Sequence, residues 1–145
     1  MSPFVLGHTA ATLFLVGMIW TVQIVHYPLF AQVGADGFAA YEAAHSVRIT
    51  WIIALPWAIQ GLTALALLIV PPDGVPRWFT FVLATLTAIP VVVTLAASVP
   101  AHAQLTDGFD AAAHARLVAT NWLRTAAWTV HGGAVLYLVA RVARP

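Results

Sequence analysis

The sequence predicts an all-α protein, a bundle of four transmembrane helices built from a duplicated helical hairpin. Three observations predict it. Of 145 residues, 61% are hydrophobic and only 8% charged, where a soluble domain carries roughly 25% charged residues. Four apolar stretches, at about residues 4–29, 49–70, 78–99 and 117–142, are each long enough for the ~20 residues that cross about 30 Å of hydrocarbon. Two of the connections between them repeat each other.

The first stretch resembles a signal peptide only in position. It has no positively charged lead, its apolar run is too long, and no A-x-A-like site follows, so it is expected to be a retained span. It closes on "VQIVHYPLF", where Gln23 and His26 stand three apart and Pro28 follows. "PPDGVPR" must make a tight turn between spans two and three. In the repeat, "PLFAQVGADGF" from Pro28 aligns with "PAHAQLTDGF" from Pro100 across a single gap, matching Pro, Ala, Gln, Asp, Gly and Phe. Halves of about residues 1–72 and 73–145 would then share one orientation, related by an axis along the membrane normal. Asp36 and Asp107 are placed to cap the following helices, with Asp110 as a capping-box partner.

Composition removes several chemistries. The chain has no Cys, so a disulfide, a thiolate nucleophile and a sulfur-ligated metal are excluded, and any metal must use His, carboxylate or carbonyl ligands. A net charge of +1 without a basic cluster offers nothing to nucleic acid. Arg77, Arg141 and Arg144 fall on the side of the termini and the short turn, and Asp36, Glu42, Asp107 and Asp110 on the other. The positive-inside rule therefore expects both termini in the cytoplasm.

Ionisable residues inside a membrane are costly and mark function until shown otherwise. Gln23 and His26 are expected to share a face of span one, and His45 and Arg48 a face at the head of span two. On span four His114, Asn121, Arg124, Trp128 and His131 fall within an arc of roughly 100°. Arg124 lies seven residues inside Leu117, about 10 Å at 1.5 Å per residue. Gln23, His26, His45, Arg48, His102, Asn121 and Arg124 are thus expected to converge in one pocket open to the outer side. The bland alternative is that His and Arg only snorkel and that Trp51, Trp57, Trp78, Trp122 and Trp128 pack or form an interfacial belt. Glu42, one turn before His45, is the acid placed to pair with an Arg or to act as a ligand. His8 and His131 are expected to stand apart, roughly 12 Å from each other along the axis, which suits a bis-histidine haem badly. Gly61, Gly132 and Gly133 provide for close helix packing or a homo-oligomer.

The motifs "VQIVHYPLF", "HSVRITWI", "VPAHAQL" and "TNWLRTAAW" resemble a widespread group of small bacterial membrane proteins with the pattern Q-x-x-H-Y-P, H-x-x-R-I, V-P-x-H-x-x-L and N-W-x-R-T. That group is in turn distantly similar to the anthrone-oxygenase-like four-helix membrane proteins, which share a Pro after span one, a V-P-x-N/H-x-x-L after span three and an N-x-x-R on span four. His102 stands here where Asn is usual, and His26 and His45 lie outside the oxygenase pattern. The resemblance implies that Gln23, His26, Pro28, His45, Arg48, His102, Asn121 and Arg124 act together. Anthrone oxygenases insert oxygen into an activated aromatic ring.

The expectation is an integral-membrane, oxygenase-like oxidoreductase whose partners are the lipid bilayer and a lipophilic or aromatic small molecule. His26, His45 and His102 would act as bases or, with Glu42 and His114, ligate one transition metal, Fe, Cu or Zn. Arg48 and Arg124 would hold a developing oxyanion, while Gln23, Asn121, Tyr27 and Trp122 position the substrate. The rival classes are a non-catalytic subunit binding a metal, haem or quinone, and a small transporter with its site between the halves.

Overall fold

The computed structural model describes residues 1–144, and among these there are four long helices and no strand. They are α1 (Pro3–Phe30), α2 (Ala35–Ile69), α3 (Arg77–Leu105) and α4 (Ala111–Val142). Short connections force neighbours to run antiparallel. α1 packs against α2 and α4, and α3 against α2 and α4, so the helices form a closed ring in chain order. α1, α2 and α3 are long and apolar enough to cross a membrane. The expected fourth span, α4, matches them in length at 32 residues. It does not match them in apolarity, because it carries the polar face of the bundle.

The bundle is apolar outside and polar within. Trp51, Leu55, Leu62, Ile69, Phe81 and Leu95 are among its exposed surface residues. His8, Gln23, Glu42, Gln60, Asn121, Arg124 and His131 are buried. In water this would waste apolar area and strand polar groups. In a bilayer the lipid tails cover the outside, and interhelical hydrogen bonds satisfy much of the inside, leaving Glu42 Oε2, His45 Nε2 and Arg124 Nε among the buried atoms without a partner.

Each half contains the same irregularity. Pro28 and Pro100 have no N–H to give the carbonyl four residues back. The helix answers with a π-turn just before each, at Val22–His26 and Thr94–Ser98, closed by Tyr27 N–H to Val22 O and Val99 N–H to Thr94 O. The prolines therefore do not end their spans, as the sequence had suggested: α1 runs on to Phe30 and α3 to Leu105. The wider turn also splits Gln23 from His26. Gln23 faces α4 and His26 faces α2, where an unbroken α-helix would have kept them on one face.

The repeat is visible in the packing. Its offset is 72 residues before the gap and 71 after it. Equivalent residues meet: Phe30 and His102 at 6.4 Å, Phe38 and Phe109 at 5.1 Å, and Trp57 and Trp128 at 5.9 Å between ring centroids. Residues touch their own equivalents when they lie on a two-fold axis. The same alignment puts Ser98 opposite His26, Val99 opposite Tyr27 and Ala113 opposite Glu42. Glu42, His26 and Tyr27 thus have no like residue at the equivalent positions, and the cluster they form with His102 is asymmetric.

Two boundaries differ from expectation. α2 begins at Ala35, fourteen residues before the apolar run, so Glu42, His45 and Arg48 are helical. Gly34, at φ 85°, occupies the N-cap position of α2 and Asp36 lies in its first turn. α4 is capped by Asp110, whose carboxylate accepts from Ala113 N at 2.6 Å, and not by Asp107. The tight turn is as expected, with Gly74 at φ 72°. Arg141 donates to Gly74 O at 3.1 Å, which ties this turn to the end where both termini lie.

A polar cluster between two lateral cavities as the candidate functional site

The first turns of α2 and the last turns of α1 and α3 meet around Phe30, a fully buried ring against which His26 and His45 both lie edge-on at 5.1 Å. His26 Nε2 faces His45 Nδ1 at 2.7 Å. Beside them, Glu42 Oε1 accepts from Ser46 Oγ at 3.1 Å and from His102 Nδ1 at 2.6 Å. With Oε1 as the acceptor from both, the neutral form of His102 carries its proton on Nδ1 and presents a lone pair at Nε2. The Tyr27 hydroxyl donates to that lone pair at 3.1 Å. Glu42, His102 and Tyr27 therefore form a carboxylate–imidazole–phenol chain. His45 and His102 lie ring against ring at 5.2 Å, joining this chain to the His26–His45 pair.

The expected single pocket is two. Tyr27, His102 and Arg124 line a cavity of about 350 Å³ between α2 and α3, together with Ser98 and Thr94. His26, His45 and Arg48 line another of about 470 Å³ between α1 and α2. α2 separates them because it begins early enough to carry its polar turns between α1 and α3. Both cavities have mostly apolar walls, of the kind that hold small lipophilic molecules.

Arg124 is buried, donates to Ser98 Oγ at 3.2 Å and lies 5.5 Å from the Trp128 ring centroid. Its Nε has no partner. Glu42 is not its counter-ion, having gone to His102. Arg48 is exposed and lies on the other cavity, away from Arg124.

Four expected site residues serve elsewhere. Gln23 and Asn121 bind each other, Asn121 Nδ2 donating to Gln23 Oε1 at 2.8 Å, while Gln23 Nε2 donates to Val118 O at 3.4 Å and Asn121 Oδ1 has no partner. They brace α1 against α4 and line neither cavity. His114 Nε2 donates to Tyr27 O at 2.7 Å, a carbonyl orphaned where α1 ends. Trp122 stands on the lipid-facing surface, edge-on to Trp20 at 5.8 Å. Among the described residues no group of three His, Asp or Glu side chains is arranged to hold a metal ion. His26 Nε2, His45 Nδ1 and both nitrogens of His102 are turned to one another, to Glu42 and to Tyr27.

His8 and His131, expected some 12 Å apart, are hydrogen-bonded through their Nε2 atoms at 3.0 Å. The expectation measured depth on α4 from Leu117, whereas that helix starts at Ala111. Measured from the true ends, His131 is 131 − 111 = 20 residues in and His8 is 30 − 8 = 22, a difference of about 3 Å. His8 Nδ1 meets Thr63 Oγ1 at 3.0 Å, and Gln60 binds Thr12, Trp128 and His131 at 2.8, 3.2 and 3.4 Å. Gln60, Ser46 and Ser98 were missed from the sequence. A lone Gln inside an apolar span was the available signal for the first. No family model, curated protein or solved structure matches this chain, so the geometry of the site is what bears on its chemistry.

Proposed function

We propose that the protein is a membrane-embedded, oxygenase-like oxidoreductase that acts on a lipophilic aromatic substrate in the cavity between α2 and α3. The observation that carries this is the Glu42–His102–Tyr27 chain, which ends beside the unpaired Arg124 Nε on a cavity open to the bilayer. A phenol whose proton can pass to a carboxylate-backed imidazole is a general base. Tyr27 gives its proton to His102 Nε2 and takes one from an acidic ring methylene of the substrate. Arg124 holds the enolate oxygen that results, in a site too dry for water to compete. The electron-rich carbanion then reacts with dioxygen dissolved in the membrane. The balance is one CH₂ and one O₂ giving one ring carbonyl and one water, with the substrate oxidised and O₂ reduced.

The membrane is a bacterial inner membrane in this proposal, with the Arg77, Arg141 and Arg144 end in the cytoplasm. The site then opens near the outer face.

The test uses protein in lipid nanodiscs with anthrone. Without oxygen, in D₂O, the methylene protons should exchange faster than in empty nanodiscs, and His102→Leu should abolish the excess. With oxygen, uptake should approach one O₂ per anthrone. Exchange no faster than in empty nanodiscs overturns the base assignment. Exchange without oxygen uptake overturns the oxidoreductase assignment alone.

A further inference from the structure

We infer that the cavity between α1 and α2 is a second ligand site, built for a lipophilic quinone and its quinol. Its volume of about 470 Å³ lies within the range of small-molecule sites. Its walls are mostly apolar, with Thr21, His26, Tyr41, His45 and Arg48 as the polar groups. The ligand must therefore be mostly apolar with a few acceptors or donors.

The hydrogen-bond accounting narrows this further. His45 is only 7% exposed, and its Nε2 has no partner. Its Nδ1 is held by His26 Nε2 at 2.7 Å. The proton between the two rings can sit on either nitrogen. If His26 carries it, neutral His45 is protonated at Nε2 and needs an acceptor. If His45 Nδ1 carries it, Nε2 is a bare lone pair and needs a donor. Leaving a buried polar group unpartnered is costly, so a ligand that fills either need is favoured. A quinone offers a carbonyl to the first state, and a quinol offers a hydroxyl to the second. Arg48, on the same cavity, is placed to donate to a second carbonyl or ring substituent. The cavity does not share Tyr27, Arg124 or His102 with the α2–α3 cavity, so this site stands whether or not the proposed oxygenase chemistry does.

The test reads the tautomer directly. Protein labelled with ¹⁵N-histidine in nanodiscs is titrated with decylubiquinone and, separately, with decylubiquinol, and the His45 resonances are assigned with His45→Asn. Quinone should move Nε2 of His45 toward the protonated position, and quinol should move it the opposite way. Val25→Trp fills the cavity from a half-exposed wall position and should weaken both responses about tenfold or more. Unchanged His8 and His131 resonances show that the variant is folded. No movement with either ligand, movement in the same direction with both, or full retention in Val25→Trp overturns the inference.

Discussion

Replacing Glu42 by Gln tests the base assignment at its root. Glu42 Oε1 is 2.6 Å from His102 Nδ1, inside a fully buried environment. Gln keeps the shape and removes the charge. A hydrogen bond to a charged group contributes about 1.5–3 kcal/mol and a neutral one about 0.5–1.5 kcal/mol, so the charge alone stabilises the imidazolium by about 1–1.5 kcal/mol. That corresponds to about a tenfold loss of rate. A further loss follows from the tautomer. Ser46 and His102 both bond Oε1, so an amide that turns its NH₂ to that position donates to both and places its carbonyl at the partnerless Oε2 position. Nδ1 then becomes an acceptor, Nε2 gains the proton, and His102 can no longer accept from Tyr27. The analogous inversion in carboxylate–imidazole–hydroxyl triads costs about 10⁴-fold. The expected loss of anaerobic deuterium exchange therefore lies between about tenfold and about 10⁴-fold. Thermal stability should hold or rise, because a buried charge has been removed. An exchange rate within about twofold of the parent, in a folded variant, would refute the chain as the proton path.

Other outcomes follow from the same contacts. Asn121→Ala leaves Gln23 Oε1 without its 2.8 Å donor; it should lower stability by about 0.6–1.7 kcal/mol in thermal unfolding while exchange per folded molecule is unchanged. Gly132→Ala places a Cβ 3.1 Å from Val16 Cγ2 and should destabilise by about 1 kcal/mol. Gly61→Ala meets nothing within 4 Å and should gain up to about 1 kcal/mol from helix propensity; equal effects at the two glycines would refute the α1–α4 contact. Anaerobic exchange should survive prolonged dialysis against chelators, because the histidine nitrogens of the relay are held by protein partners. Loss of exchange that added Zn²⁺ or Fe²⁺ restores would make the cluster a metal centre instead.

The polar stripe on α4 was legible in the sequence because α4 is an unbroken α-helix. His114, Asn121, Arg124, Trp128 and His131 all turn toward the bundle as a 100° step predicts. On α1 the same arithmetic failed at one place. The π-turn forced by Pro28 changes the phase between Gln23 and His26, so one residue braces α4 and the other joins the site. Depth was miscounted for His8 and His131 because a helix can begin in polar sequence well before its apolar run, as α2 and α4 both do.

The sequence by itself determined the helical class, the number of long helices, the duplication and the set of chemistry-bearing residues, since these follow from composition, apolar run length and repetition. Only the tertiary structure decided which of those residues meet. Partner choice depends on helix phase and axial offset to within one residue. A π-turn or a shifted helix start changes both without altering the apolar pattern. That is why Glu42 pairs with His102 rather than an arginine, why Tyr27 rather than Gln23 completes the chain, and why one expected pocket is two.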